Sequence, residues 1–417
     1  MKKTVITIII ALVIIGAVTA GILLYPYNPD KPPKADDSGS TPEGVQEVVN
    51  ANNQFALELY SNLNENEENN AKNIFYSPYS ISAALAMTYE GAKGQTADEM
   101  KSVFHFPENN ILRPNFASIY NEINRGDEAY KLSTGNALWA QQDYPFLEDY
   151  LSLVETYYGG KAANLDFISK TEESRQTINS FIEEQTNNKI KDLIPAGVLD
   201  SMTRLVLTNA IYFKGTWEWQ FDKSDTHDAD FKITEDNIVQ VPMMYMKPEK
   251  AMFNYADTGD LQILEMPYKG DEISMLILLP TGNLDSINLT LENLENWKSQ
   301  MQETKLDAIY FPKFEFDAKY NLKENLEDLG MPTAFSENAD FSGMTGKRDL
   351  FISFVIHQAY VKVDEEGTEA AAATAVIMKE TSAGPENMFI ADHPFIFIIQ
   401  EKATGNILFL GKVVDPR

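Results

Sequence analysis

An α+β fold is expected for this chain of 417 residues from three features. Short runs rich in Val, Ile, Leu and aromatic residues, such as Arg204 to Phe213, Ile273 to Leu279 and Phe395 to Gln400, have the length and composition of buried strands. Longer segments, such as Val45 to Leu63 and Lys170 to Thr186, instead read as helices, the first with apolar residues at helical spacing. No stretch after residue 45 has the composition of an inter-domain linker, although the length alone would allow two or three domains. With 44% hydrophobic residues the chain can bury a large core, and with no cysteine it must do so without disulfides.

Met1-Lys2-Lys3 precedes an apolar run from Thr4 to Tyr25. Val18-Thr19-Ala20 before Gly21 offers a signal-peptide cut, yet the run continues through Leu24, and about 20 apolar residues are enough to span a bilayer. Its length favours an uncleaved anchor with Lys2 and Lys3 in the cytoplasm, a bias that Lys31 and Lys34 weaken. With either outcome for residues 1–25 the folded part is exported, and an extracellular location, free or on the outer face of the membrane, is expected. Residues 26–44 are rich in Pro, Asp, Ser and Gly and read as a flexible tether, leaving 45–417 as the folded domain.

Val45, Val48, Val49, Phe55, Leu59 and Leu63 mark the first amphipathic helix, and Glu65 to Asn70 is a polar loop. Ser77-Pro78 opens a second helix, with Ser77 as its cap and Pro78 in the first turn, where a missing N–H is harmless. Arg204 to Phe213 is a buried strand, ending near Trp217. Strands are also expected at Leu261 to Met266, Ile273 to Leu279, Ala308 to Phe316, Phe395 to Gln400 and Ile407 to Val414. Leu289 to Gln302 and Leu322 to Leu329 are helical, and Asn288-Leu289-Thr290 is a glycosylation sequon. His357, in the apolar run Phe354-Val355-Ile356-His357, reads as a satisfied core histidine.

The balance of 34 basic against 62 acidic residues, a net charge of −28, excludes nucleic acid and anionic membrane surfaces as partners of a basic patch. Catalytic patterns are missing. There is no His-Glu-x-x-His, no Gly-x-Ser-x-Gly, no phosphate-cradling glycine loop and no metal-ligand spacing, and His105, His227, His357 and His393 are scattered. No enzyme activity, cofactor or metal is expected.

The stretch from Val363 to Pro394 is internally contradictory. Tyr360 to Asp364 alternates like a strand, Gly367 interrupts it, Ala370 to Ala373 has helical propensity, and Lys379 to Pro385 reads as an exposed loop. It is either an Ala-rich helix or linker, or a functional loop with Gly367 as hinge. If it were to enter a sheet as a strand, Thr368, Ala370, Ala372 and Thr374 would point inward, and all four are small.

Glu365-Glu366-Gly367-Thr368-Glu369-Ala370-Ala371-Ala372-Ala373-Thr374 resembles the reactive-loop hinge of inhibitory serpins. Asn73-Ile74-Phe75-Tyr76-Ser77-Pro78, Thr208-Asn209-Ala210-Ile211-Tyr212-Phe213-Lys214-Gly215-Thr216-Trp217, Phe311-Pro312-Lys313-Phe314 and Asp392-His393-Pro394-Phe395 are similar to further serpin signatures in serpin order, so the likeness covers residues 45 to 417. The resemblance implies a single α+β domain with a large, mostly antiparallel central sheet, further sheets, eight to nine helices and an exposed reactive loop. It implies a monomer that traps a serine proteinase once, the cut loop inserting into the central sheet and dragging the acylated enzyme out of working geometry.

The resemblance also assigns residues. Ser77, Ser80, Asn209 and His357 would form a polar cluster, the shutter, beneath the sheet centre. Trp217, Lys313 and Glu365 would stand at the breach where insertion begins, Lys313 and Glu365 as an ion pair, worth little on the surface and more if partly buried. Counting fourteen positions from Gly367 gives Thr381-Ser382 as the scissile bond, which suits elastase-like or subtilisin-like enzymes, although Met378, Lys379 and Glu380 offer neighbouring cuts. Thr368 would enter the sheet first, from a loop exposed until then. Polyanion activation is not expected, because His105 to Lys131 holds only Arg113, Arg125 and Lys131 against Glu108, Glu122, Asp127 and Glu128. A non-inhibitory binding protein and a cysteine-proteinase inhibitor remain alternatives; a hydrolase lacks a nucleophile and base.

Overall fold

The structure, a computed structural model, describes residues 34–65, 71–125, 130–368 and 387–417. Its main sheet runs in the order Phe314–Asn321, Ile352–Asp364, Leu205–Thr216, Ala137–Gln141 and Lys161–Leu165, and Tyr130–Thr134 also pairs with Leu205–Thr216. Most neighbours are antiparallel. The central pair is parallel, in a register from Ile352 opposite Leu205 to Tyr360 opposite Tyr212. Beyond Tyr360 and Tyr212 the two strands part, and the two-residue strand Gly367–Thr368 fills the gap antiparallel to both.

A second sheet is ordered Ile74–Tyr76, Ile407–Val413, Phe395–Glu401, Ile273–Pro280, Leu261–Pro267, Phe253–Asp257 and Gln302–Thr304. Its central strand Ile273–Pro280 is buried throughout, which is why it reads as a continuous apolar run without alternation. A third sheet joins Met388–Ile390, Ala308–Pro312, Asn237–Met246 and His227–Thr234. Nine α-helices stand among the described residues. The helix Pro78–Tyr89 lies almost wholly inside the core, apolar nearly all round, and starts as its sequence predicts: the Ser77 side chain accepts from the Ser80 N–H, and Pro78 follows.

Two core clusters sandwich the main sheet. The larger lies between its inner face and the second sheet. The smaller covers the outer face, where Ile178 and Ile182 of helix Thr171–Gln185 and Ile190, Ile194 and Leu199 beyond it pack on Val206, Ala210 and Ile356. That cover therefore bridges both central strands.

Two expectations need correction. Ala308 to Phe316 is not one strand: it is cut at Lys313, with Ala308–Pro312 in the third sheet and Phe314–Asn321 in the main sheet. A period-2 pattern cannot show a strand changing sheets, but the proline marks the corner. The folded part also begins before Val45. Helix Pro42–Glu65 starts three residues earlier, and residues 34–41, expected within the tether, are tied to the folded part by hydrogen bonds around a buried Ala35. Ala35 is 3% exposed. Asn121 accepts its N–H and donates to its carbonyl and to Asp37, and Asp36 N–H donates to Thr156 O. Composition shows low hydrophobicity; it cannot show a helix offering those backbone groups partners. Residues 1–33, with the expected anchor and the rest of the tether, lie outside the described residues.

Candidate functional site

The parallel register sets His357 directly across the central seam from Asn209, both on the inner face over the start of helix Pro78–Tyr89. His357 Nε2 accepts the Ser77 N–H at 3.1 Å, so the ring proton sits on Nδ1, where it bonds Asn209 Oδ1. The Asn209 amide donates to Ser80 Oγ at 2.6 Å and to Asn136 Oδ1 at 2.7 Å, while Ser80 Oγ donates to Asn136 Oδ1 at 2.8 Å. Ser77 Oγ donates to Leu408 O at 2.6 Å. Burial pushes the His357 imidazole down to about 3, only partly opposed by its bond to Asn209, so the ring is neutral. With its hydroxyl committed to a carbonyl and an amide rather than a carboxylate behind the histidine, this cluster has no nucleophile–base arrangement. It is a polar tie between the two central strands.

Some twenty ångströms along the same seam, by the roughly 3.3 Å rise of six strand residues, the chain turns at Asp364-Glu365-Glu366 into Gly367–Thr368. Glu365 is only 3% exposed at its side chain, so its pair with Lys313 at 2.8 Å is a partly buried one. Thr226 Oγ1 donates to the same carboxylate at 2.7 Å. Burial pushes Glu365 up, but Lys313 and Thr226 more than offset it and hold the carboxyl below its ordinary value. Its neighbour Asp364 is pushed up by burial and accepts the Glu366 N–H, closing the turn. Lys223 pairs with Glu366. The Trp217 indole donates to Asp364 O at 3.1 Å, its backbone N–H donates to Glu366 O at 2.9 Å, and its ring stacks on Tyr268 at 4.5 Å.

Gly367 has φ +152°, and a Cβ there would lie 2.0 Å from the Gly215 carbonyl oxygen, so only glycine fits. Thr368 follows, 1% exposed, its hydroxyl 2.7 Å from Tyr268 Oη. The expectation that Thr368 lies in a loop exposed before insertion is thus corrected: it is already between the strands. It points to the inner face, as predicted for the inward set.

Against models of known families, residues 50–416 match Serpin (serine protease inhibitor). The chain is a serpin. Among its relatives, leukocyte elastase inhibitor A of Rattus norvegicus is 43% identical over 382 residues, 89% of this chain and 100% of the relative. An uncharacterized serpin-like protein of Methanosarcina mazei is 42% identical over 378 residues, 89% of this chain and 88% of the relative. Uncleaved ovalbumin superposes with a TM-score of 0.79 at 32% identity, covering 89% of this serpin and 100% of ovalbumin, and human thyroxine-binding globulin complexed with thyroxine with 0.80 at 33%, covering 89% and 99%. The α+β architecture expected from the resemblance is the serpin fold observed.

The structure brings together Ser77, Ser80, Asn209 and His357, and separately Trp217, Lys313, Glu365, Gly367 and Thr368. Ala370, Ala372, Thr374, Thr381 and Ser382 lie outside the described residues. Sequence reasoning missed Asn136, Thr226, Lys223 and Tyr268. Each sits in an unremarkable turn or strand end and joins its site only through tertiary contact. Among the described residues no group of three or more His, Asp or Glu is placed to hold a metal.

Proposed function

We propose that this serpin inhibits serine proteinases as a suicide substrate, with residues 369–386 as bait and the cut loop inserting between Leu205–Thr216 and Ile352–Asp364. One observation carries the reading: Gly367–Thr368 already occupies the head of that seam, antiparallel to both strands. Continuing this register brings Thr374 opposite both Asn209 and His357. An inward threonine there supplies a hydroxyl at the point where insertion must break the bond between them, so the polar tie can be remade around the new strand. The residues before it, Ala370 and Ala372, are small enough to pass into a packed core.

In the first step the proteinase serine Oγ attacks the Thr381 carbonyl carbon. The bond to Ser382 nitrogen breaks, that amine takes the proton, and an ester joins Thr381 to the enzyme. Insertion then competes with hydrolysis of the ester. Ser77, Ser80, Asn209 and His357 act in this scheme as the tie that holds the seam closed, and Trp217, Lys313 and Glu365 as the gate that holds its head. The elastase-inhibitor names of relatives support an elastase-like target, as does the small Thr381 side chain; subtilisin-like enzymes have comparable demands. The apolar run within Met1 to Leu24 supports a location of the domain outside the cytoplasm, anchored or released. Trapped complexes are sought on denaturing gels with elastase and subtilisin, followed by mass spectrometry of the released C-terminal fragment. A fragment beginning at Ser382 is expected; any other N-terminus overturns the assigned bond, and absence of a complex overturns inhibition.

A further inference from the structure

After the loop the chain rejoins the fold at Met388–Ile390, an edge strand of the third sheet that runs parallel to Ala308–Pro312. Ala391 N–H then donates to Tyr310 O at 3.0 Å, and Lys232 N–H, from the opposite edge strand His227–Thr234, donates to Asp392 O at 2.7 Å. The Asp392 carboxylate also pairs with Lys232 Nζ at 3.0 Å. Beyond His393 and Pro394 the strand Phe395–Glu401 enters the second sheet. Residues 391–394 are thus the junction between the two sheets.

Within that junction the His393 ring lies between two acceptors. Nδ1 is 2.8 Å from Asp392 Oδ1, and Nε2 is 2.5 Å from Pro280 O at the end of strand Ile273–Pro280. A neutral imidazole has one N–H and donates to one of them; only the imidazolium donates to both. Asp392 is held below its ordinary value, chiefly by its bond to His393, so it accepts as a carboxylate. Burial pushes the His393 imidazole down, but its bonds to Asp392 and Pro280 more than offset this and hold it above its ordinary value. The charged groups acting on the ring are Asp392 beside it and Lys232, which opposes the cation, while strand Ile273–Pro280 brings the carbonyl and no charged side chain.

What the junction holds is the outgoing end of the loop. Thr368 lies opposite Gly215, so in a continued register residue 378, ten steps on, comes opposite Leu205 at the far end of the ladder. From residue 378 to Met388 is ten steps again. An uncut loop filling the seam would use all of them to return to the level of Thr368, with none left to reach the third sheet. It can fill the seam only if Met388–Ile390 comes off its neighbour.

We propose that His393 is a proton-operated latch: its imidazolium ties the second sheet to the third and keeps Met388–Ile390 in place, and loss of one ring proton frees the junction. The latch itself stands on the geometry above. Its consequence for activity, that an uncut loop enters the seam and is lost as bait, rests on the inhibitory reading. Because the folded ring holds its proton to a higher pH than an unfolded histidine, the hold is complete below about pH 6.5 and is lost as pH rises through the folded value.

The test follows the four histidine rings of the full chain by proton NMR, the His393 signals being those absent from His393→Gln. The ring is expected to titrate above about 6.5, and nearer to it in Asp392→Asn. Hydrogen exchange, corrected for the intrinsic rate at each pH, is expected to show the Ala391 and Lys232 amides about tenfold less protected at about pH 9 than at about pH 6, the scale of one lost bond to a charged group. His393→Gln, uncharged and unable to reach both acceptors with its one nitrogen, is expected to show the lower protection at both. Uncut parent is expected to lose inhibitory titre severalfold faster at the higher pH, and His393→Gln equally fast at either. A ring that titrates at or below about 6.5, or protection that does not change with pH, overturns the latch. So does the parent's pH dependence persisting in His393→Gln, since another group then carries it. Rings and amides that behave as expected in a parent that traps no proteinase overturn the inhibitory reading and leave the latch standing.

Discussion

His357 is neutral in the folded protein because both ring nitrogens are committed inside the core, and its folded value of about 3 lies below the roughly 6.5 of an unfolded histidine. The sign follows directly. Between those limits the unfolded chain binds the proton and the folded one does not, so the stability this group contributes is complete above about pH 6.5. It is lost as pH falls toward 3, at up to about 1.4 kcal/mol per pH unit. Urea midpoints at pH 7 and pH 4.5 are expected to fall less steeply in His357→Gln than in the parent; parallel profiles would show that His357 does not carry this loss. Thr368 makes a second case. Arg at that position must either bury a charge beside Tyr268 or expel Gly367–Thr368 from the sheet, costing several kcal/mol at the most and not less than the contacts it breaks. Thr368→Arg is therefore expected both to melt below the parent and to be cut as a substrate without retaining proteinase. Ala371→Arg, on the opposite parity, is expected to trap. Efficient trapping by Thr368→Arg would separate trapping from insertion.

At the scale of elements, two segments are held in part by side chains that meet chain from far away in sequence. Lys313 stands where the strand from Ala308 leaves the third sheet and the strand from Phe314 joins the main one, and that corner aims its ammonium at Glu365. Asn121, on helix Asn109–Ile123, clamps residues 34–41 by accepting one N–H and donating to two oxygens. Removing that side chain orphans the backbone of Ala35, which is buried among Ala117, Tyr120 and Tyr157. Asn121→Ala is expected to cost about 1–3 kcal/mol in urea unfolding and to make the chain near Lys34 sensitive to a proteinase. Unchanged digestion there would mean that the strap is held by packing alone.

Across the whole molecule, the proposed cycle depends on an incomplete sheet. Its two central strands are parallel to each other and meet directly over nine residues, from Ile352 to Tyr360, where an antiparallel strand inserted between them would replace the one parallel ladder they share by two antiparallel ladders. The cut loop is expected to supply that strand, so loop-cleaved protein should melt well above the intact form when both are followed by circular dichroism. Coincident melting would exclude insertion and move this serpin to the non-inhibitory members. The net charge of −28 acts on both forms alike and leaves the comparison sound.

Much of this was legible before any fold was drawn. The spacing of Ser77 and Pro78, the buried run through Asn209 and the small residues after Gly367 are local patterns, and local patterns report local constraints: a cap, a buried strand, a side chain that must not be large. Gly367 belongs here too, since its backbone angle excludes other residues. What only the tertiary structure decided is which of these patterns meet. Asn136 joins the His357 cluster through the pairing of strands that are far apart in the chain, and Tyr268 reaches Thr368 across a hundred residues. The depth of Glu365 and the early burial of Thr368 depend on what packs over them, and residues 34–41 are held by a partner more than eighty positions away. Periodicity records that a side chain faces a core. The identity of the neighbour it finds there is set by the register of distant strands, and no local window of sequence carries that information.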